Sequence, residues 1–389
     1  MQIGFTPDQE ALRRELRDYF QSLMTPEVEA EVAAGETGGP HCLEAVRRMG
    51  RDGWLGIGWP REYGGQARGP VEQFIFYDES WRSRAPVPAL TINTVARTIM
   101  EFGTPEQRDF FLPQILRGEC HFSIGYTEPG AGTDLASLKT RAVRDGDDWV
   151  INGQKIYTSL AGYADYIWLA ARTDPDAPKH KGISIFCVPT RSPGFSYAPL
   201  HTIVDSGTTA TFYEDLRVPD RFLVGGVNRG WKLITNQLNY ERVALCPPGM
   251  VEPLIADTHR WAQATRLADG RRVIDQEWVQ VALARLYARL EYVRLLNWKV
   301  VSSAQVNPAE ASATKVFGTE FFCEAYRTLL EIIGQGGALR HVSPGAILQG
   351  RIERAYQGTL FLTFGGGTNE VQRDLIALFG LGMPRVPRL

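Results

Sequence analysis

The chain has 389 residues, of which 44% are hydrophobic and 22% are charged, and its formal net charge is −2. A chain of this length is too long for a single compact hydrophobic core, so we expect a globular protein of two or three domains. The balanced charge excludes an electrostatic surface for nucleic acid or anionic membrane, and we find no apolar run as long as a membrane span. The amino terminus lacks the apolar core of a signal peptide, and the five cysteines are widely spaced. Both features favour a cytoplasmic protein with free thiols.

Residues 1–118 are predicted to form an N-terminal helical domain. Thr6, Pro7 and Gln9 have the spacing of a helix cap, and apolar residues then recur at helical intervals. A loop rich in glycine and tryptophan follows at residues 54–65, and by itself it indicates a packed turn. Further helices are expected up to residue 116.

Residues 119–227 are predicted to form a middle β-domain, because the hydrophobic period changes there from helical to alternating. Several short strands follow one another, and Asp145-Gly146 marks a hairpin turn. The spacing favours a small antiparallel barrel or sandwich. Strands do not alternate with crossover helices, so a dinucleotide-binding βαβ unit is not supported.

Residues 228–389 are predicted to be helical again and to form a bundle domain. The proline pair at 247–248 must interrupt or kink the first of these helices. The fold class is therefore mainly α with a middle β-domain.

One stretch of the last domain carries a candidate catalytic group. Its apolar stripe consists of Trp231, Ile234, Leu238 and Leu245. Glu241 takes the remaining place on that stripe, where desolvation should raise the pKa of its carboxyl toward the range useful for proton transfer. A structural ion pair of Glu241 with Arg242 is the alternative interpretation, and it is the more common situation for such a residue.

Three glycine- or hydroxyl-rich segments could bind a ligand. Residues 126–134 and 364–370 contain glycines that allow close approach of the backbone to a planar or anionic group, and residues 152–159 offer an aromatic side chain beside hydroxyls. Each segment alone also fits an ordinary turn or hairpin.

Taken together, these segments resemble the acyl-CoA dehydrogenase family. The resemblance is carried, in order along the whole chain, by residues 56–65 (GIGWPREYGG), 126–134 (YTEPGAGTD), 151–158 (INGQKIYT), 212–219 (FYEDLRVP), 239–242 (NYER) and 365–370 (GGGTNE). Within the family the chain is most similar to actinobacterial subunits that dehydrogenate steroid side-chain CoA thioesters.

The resemblance implies an N-terminal helical domain, a middle β-barrel or sandwich, a C-terminal four-helix bundle and bound FAD between the last two. The implied reaction is α,β-dehydrogenation of an acyl-CoA, in which a carboxylate takes the α-proton and hydride passes to flavin N5. The flavin-binding positions it implies are Tyr126, Thr127, Gly132, Thr133, Tyr157, Ser159, Arg266, Gln335, Gly336, Gly337, Thr368 and Glu370. Tyr157 stands where the family usually has tryptophan.

The pattern departs from the family at its usual base. Most members carry a late glutamate where this chain has Gly366, and a minority place the base on the long helix in a Glu-Arg pair. The resemblance then assigns the base to Glu241, oriented by Arg242. Loss of bulk near the flavin suits a bulky or branched acyl group. A non-catalytic subunit that completes a relative's site, or an acyl-CoA oxidase, are the alternatives.

A second departure lies at the adenine end of FAD. Asp269-Gly270 replaces the family's Phe-Gly pair, Glu277 replaces a glutamine, and carboxylates there would repel a diphosphate. In the family this region binds the flavin of the neighbouring subunit, so the resemblance favours a heterotetramer with a related subunit, with a homotetramer or homodimer as the alternative. An electron-transfer flavoprotein is the implied electron acceptor.

Overall fold

The computed structural model describes residues 4–203, 207–241, 246–303, 307–341 and 343–385, with the side chains of 238–241 left undescribed. Its backbone forms two compact units. The sheet unit consists of Ser22–Gly69 and Pro86–Glu241, and the helical unit consists of Met1–Gln21, Pro70–Ala85 and Arg242–Leu389. The domain boundaries after residues 118 and 227 stay predictions.

The helices occupy most of the segments that helical periodicity indicates. They are, in chain order, α1 (Pro7–Leu23), α2 (Pro26–Ala34), α3 (Pro40–Arg51), α4 (Pro70–Ser83), α5 (Ala96–Phe102), α6 (Pro105–Leu116), α7 (Gly230–Glu241), α8 (Glu252–Ala264), α9 (Glu277–Val301), α10 (Pro308–Ile333), α11 (Arg351–Leu360) and α12 (Asn369–Gly380). The predicted cap at the first helix is confirmed, because the Gln9 amide N–H donates to Thr6 Oγ1 at 3.3 Å and Thr6 N–H donates to Gln9 Oε1 at 3.1 Å.

The sheet unit is built around one eight-stranded sheet. Its strands are β1 (Phe122–Gly125), β2 (Arg141–Asp145), β3 (Asp148–Lys155), β4 (Tyr166–Arg172), β5 (Ile183–Pro189), β6 (Phe195–Pro199), β7 (Thr209–Pro219) and β8 (Leu223–Val224). They lie in the order β6-β7-β3-β2-β4-β5-β8, and β1 pairs with β4. The predicted hairpin is present, since Asp145 pairs with Asp148 across the β2–β3 turn.

The sheet is mixed, which corrects the expectation of a wholly antiparallel one. β1 pairs with β4 in parallel over four residues, and β2 meets β4 in parallel at Arg141 and Arg172. β4 and β5 are buried almost throughout, so their sequences read as continuous apolar runs. One face packs the buried rings of Trp149, Phe186 and Tyr213 into a single apolar cluster.

The helical unit buries one large apolar core along α8, α9 and α10. The expected interruption by the proline pair is confirmed, since a 3-10 helix at Pro248–Met250 precedes α8. Gly249 N–H donates to the buried Asp78 carboxylate at 2.6 Å, and Arg82 binds Glu252 at 2.6 Å. These buried polar contacts hold the segment that follows the interruption against α4.

No helix in the described ranges is both long and apolar enough to cross a bilayer.

Candidate flavin and acyl-CoA site

Residues 126–134 form a tight glycine loop in the sheet unit. Glu128 and Ala131 exchange backbone hydrogen bonds of 3.0 and 3.1 Å, which closes the turn. A Cβ added at Gly130 or Gly132 would meet no other atom of the described residues within 4 Å. The loop therefore presents an open backbone edge on which a flat ligand can lie.

A buried ion pair fixes the start of this loop. Lys155, at the end of β3, is fully buried and donates from Nζ to Glu128 Oε1 at 2.8 Å and to the Tyr126 carbonyl at 3.1 Å. Glu128 also accepts the N–H groups of Lys139 and Thr140. Burial lowers the pKa of Lys155 to about 8, although Glu128 opposes that shift. Burial opposes ionisation of Glu128, but the Lys155 ammonium and the two amides together lower the pKa of that carboxyl.

Tyr157 lies beside the loop and points its ring into open space. Its side chain is 61% exposed, and its backbone is left-handed with φ +59°. Ile156 N–H donates to the Thr127 carbonyl at 2.8 Å, so the two predicted flavin segments are adjacent. A tyrosine in this strained conformation with an exposed ring is typical of a ligand contact. Ser159 is exposed two residues further on.

We expect Tyr157→Ala to weaken FAD affinity by about 10-fold, because an aromatic face contributes on the order of 1 kcal/mol beyond its area. The unfolding free energy of the apoprotein should change by less than about 0.5 kcal/mol, since the ring is exposed. Flavin titration and thermal unfolding measure the two quantities. Tyr197→Ala removes another exposed tyrosine of the sheet unit and should leave FAD affinity unchanged. Equal losses in both variants would contradict a specific contact at Tyr157.

Helix α7 carries the candidate base at its last described residue. The helix begins where Gly230 packs on β5, since a Cβ there would come within 2.9 Å of the Ile183 carbonyl. Leu233, Ile234 and Gln237 are buried, and α7 ends at Glu241. The side chain of Glu241 and the whole of Arg242 lie outside the described residues, as do two members of the predicted stripe, the Leu238 side chain and Leu245.

A chain of hydrogen bonds joins α7 to the glycine loop. Trp168 Nε1 donates to Tyr126 Oη at 3.0 Å, and Tyr126 Oη donates to Gln237 Oε1. Gln237 is 1% exposed, and its Nε2 has no hydrogen-bond acceptor among the described residues. A buried unpaired donor is uncommon and indicates an absent ligand or water.

In the helical unit, the late glycine segment leads into α12. Thr368 caps this helix, accepting from Val371 N–H at 3.2 Å, and Glu370 is in its first turn. The buried ammonium of Lys315 donates to the Gly367 carbonyl at 2.9 Å and to Asn369 Oδ1 at 2.7 Å. This contact fixes the glycine segment, and the helix N-terminus can receive an anionic group.

The remaining predicted flavin residues occupy two places in the helical unit. Arg266 is exposed and donates to the Gly270 carbonyl at 2.8 Å, while Asp269 pairs with Arg271 at 2.7 Å. The neighbouring arginine therefore weakens the repulsion that Asp269 would exert on a diphosphate. The second place is the 3-10 helix Gly334–Ala338, which contains Gln335, Gly336 and Gly337.

The glycines of that 3-10 helix have a packing role. A Cβ at Gly336 would lie 2.6 Å from Ile347 Cδ1, and one at Gly337 would lie 2.9 Å from Ile333 Cγ2. Of the three, only Gln335 has a side chain, and this residue is exposed and able to meet a ligand.

Sequence reasoning missed the three polar groups that support these segments. Lys155 has the same strand parity as the buried Ile151, a signal that could have placed it inward. Gln237 lies three residues after buried Ile234, so it belonged to the apolar face of α7. Lys315 lies three residues after Ser312 and four before Thr319 on the buried face of α10. Nothing in the neighbouring sequence indicates that it donates hydrogen bonds to the glycine segment at residues 364–370.

With this geometry in place, comparison with known proteins identifies the class. Models of the acyl-CoA dehydrogenase N-terminal, middle and C-terminal domains match residues 6–119, 123–215 and 228–380. The chain belongs to the acyl-CoA dehydrogenase family and is an enzyme of that class, whose members are flavoproteins that typically carry FAD. The predicted fold class is thereby confirmed.

Particular relatives match over the full length. Acyl-CoA dehydrogenase FadE26 from Mycobacterium tuberculosis is 56% identical over 400 residues, with 100% of both chains covered. A chain in the crystal structure of the ChsE4-ChsE5 complex from Mycobacterium tuberculosis is 56% identical with a TM-score of 0.94, covering 99% of this chain and 100% of that one. A chain of the Tcur3481-Tcur3483 steroid acyl-CoA dehydrogenase is 50% identical with a TM-score of 0.93, with the same coverage.

Proposed function

We propose that the chain is the catalytic subunit of an FAD-dependent acyl-CoA dehydrogenase for bulky, steroid side-chain acyl-CoA thioesters. The observation that carries the flavin assignment is the open glycine loop beside the exposed, left-handed Tyr157. These residues fit a planar ring, with hydroxyls of Thr127, Thr133 and Ser159 available at its edge. Bound FAD supplies the acceptor for the β-hydride.

The sheet unit would provide the flavin with a binding surface that is already formed without the cofactor. Tyr157 would cover the ring and the backbone of Tyr126 and Gly132 would border it, and the Lys155–Glu128 pair holds that backbone in place without the cofactor. In the helical unit, Thr368 and Glu370 at the start of α12 are the groups proposed for the flavin pyrophosphate, while Arg266 and Gln335–Gly337 are proposed for the flavin of a neighbouring subunit.

Glu241 is the proposed base for the α-proton, with Arg242 as its orienting neighbour. The usual family position is occupied by Gly366, whose backbone is left-handed with φ +67°. A glutamate there would carry backbone strain that glycine avoids. α7 instead ends with Glu241 one turn after the buried Gln237, on the same helical face.

The proposal of a bulky acyl group draws on the sequence and on a relative. Glycines at 365–367 leave less side-chain bulk than the usual tyrosine and glutamate, and the solved relative of 50% identity is described as a steroid acyl-CoA dehydrogenase. When the volume of an apolar pocket changes by a few methylenes, the preference of the enzyme between a larger and a smaller substrate changes by about 10-fold or more. We therefore expect at least that preference for steroid over medium-length linear acyl-CoAs.

A related subunit is the proposed partner. The ChsE4-ChsE5 and Tcur3481-Tcur3483 relatives are heteromeric complexes, and the packing role of Gly336 and Gly337 leaves few side chains for a neighbour's FAD. We propose a cytoplasmic heterotetramer with one FAD per heterodimer and an electron-transfer flavoprotein as acceptor.

The test is expression of the chain alone and together with a family paralogue encoded beside it. We expect the pair to retain more FAD per chain and to oxidise steroid side-chain acyl-CoA faster than linear acyl-CoA of medium length. Bound flavin absorbance and turnover with an artificial acceptor measure both. Full FAD occupancy of the chain alone would refute the obligate partner, and equal activity on linear substrates would refute the bulky acyl group.

A further inference from the structure

Gln237 is a buried polar residue whose two amide atoms have different roles. Its side chain lies in the interior of the sheet unit with 1% exposure, yet Nε2 has no acceptor within the described ranges of the chain. Leaving such a donor unpaired is costly, and a bound ligand that accepts its proton would remove that cost.

The neighbouring hydrogen bonds fix which way the amide points. Trp168 Nε1 can only donate, and its partner is Tyr126 Oη at 3.0 Å. Tyr126 Oη in turn donates to Gln237 Oε1. The amide oxygen therefore faces Tyr126, and the NH₂ group must point away from it.

Helix geometry then relates this NH₂ group to the proposed base. Gln237 and Glu241 are four residues apart on α7 and share one helical face, about 6 Å apart along the axis. A base that removes the α-proton of a thioester acts next to the thioester carbonyl. The first amide carbonyl of the pantetheine arm follows a few atoms further along the substrate.

We infer that Gln237 donates a hydrogen bond from Nε2 to a carbonyl oxygen of the bound acyl-CoA, which makes it a substrate-binding residue. The inference rests on the proposed function, because Glu241 locates the substrate. The side-chain oxygen of Gln237 is already bonded to Tyr126, so its Nε2 donor is oriented before the substrate arrives and little ordering is needed on binding. If the acceptor is the thioester oxygen, the same bond stabilises the negative charge that builds there on proton removal.

The experiment measures binding of 2-octenoyl-CoA and of free CoA to the FAD-loaded protein, expressed with its paralogue if that is needed for FAD. Neither ligand can be dehydrogenated by removal of an α-proton, so binding does not depend on the proposed base. We expect Gln237→Met to weaken binding of 2-octenoyl-CoA by about 10-fold or more in isothermal titration calorimetry. Loss with 2-octenoyl-CoA alone identifies the thioester carbonyl, and loss with both ligands identifies a pantetheine amide.

Controls separate this result from a structural effect. Thr235→Ala changes an exposed residue of α7 whose hydroxyl bonds only to carbonyls of its own helix in the described contacts, and it should leave both affinities unchanged. If Gln237→Met does not fold, Gln237→Glu keeps the acceptor for Tyr126 and removes the amide donor. Affinities of Gln237→Met within 2-fold of the wild type for both ligands would overturn the inference. The turnover of Glu241→Gln reports on the base separately, so the two proposals can fail independently.

Discussion

Glu241→Gln is expected to lower turnover of acyl-CoA by about 10²–10⁴-fold, because the amide cannot accept the α-proton. The substitution preserves shape and hydrogen-bonding capacity, so FAD content and the unfolding temperature should stay close to those of the wild type. The measurement is anaerobic single-turnover reduction of the flavin, followed by its absorbance, which isolates the chemical step from product release.

Glu214→Gln provides the matched control, since Glu214 is an exposed carboxylate on β7. It should reduce flavin at the wild-type rate. A Glu241→Gln enzyme with an unimpaired rate of flavin reduction would refute the proposed base and would favour a non-catalytic role for this carboxylate. Relocating a carboxylate with Gly366→Glu in the Glu241→Gln background should restore little activity, because the left-handed backbone at Gly366 disfavours glutamate.

Much of the fold could be predicted from the sequence because its signals are local. Helical periodicity predicts one helix at residues 276–302 and another at 369–379. The structure has α9 at Glu277–Val301 and α12 at Asn369–Gly380. Apolar period and capping residues act within a few positions of where they stand. The β2–β3 hairpin follows in the same way from Asp145-Gly146.

The features that sequence reasoning missed depend on contacts between distant segments. The parallel pairing of β1 with β4 joins residues more than forty positions apart, and no local pattern distinguishes it from an antiparallel one. The polar groups that support the candidate site show the same difficulty. Tyr126, Trp168 and Gln237 come from three separate elements, and only their meeting reveals an unpaired amide.

Lys155→Met should destabilise the protein by about 3–5 kcal/mol, because it leaves the Glu128 carboxylate buried without its countercharge. The ion pair also holds the Tyr126 carbonyl, so the glycine loop should lose its fixed conformation and FAD should bind more weakly. Chemical unfolding of the apoprotein and flavin titration measure the two effects. A change below about 1 kcal/mol would show that the pair contributes little to the loop.

The double variant Lys155→Met/Glu128→Gln tests whether the loss arises from the unpaired charge. The side-chain amide that replaces the Glu128 carboxylate is neutral, but Lys139 N–H and Thr140 N–H bond to different carboxylate oxygens and only one oxygen remains. The amide can therefore keep one of these two bonds, and the double variant should regain part of the lost stability. The pH dependence gives an independent check. The pKa of Lys155 is about 8 in the fold and 10.5 in the reference state, so the unfolded chain binds the proton more readily between these values. Wild-type stability should therefore rise relative to the double variant as pH increases through that window, and it should not do so if Lys155 keeps its ordinary pKa.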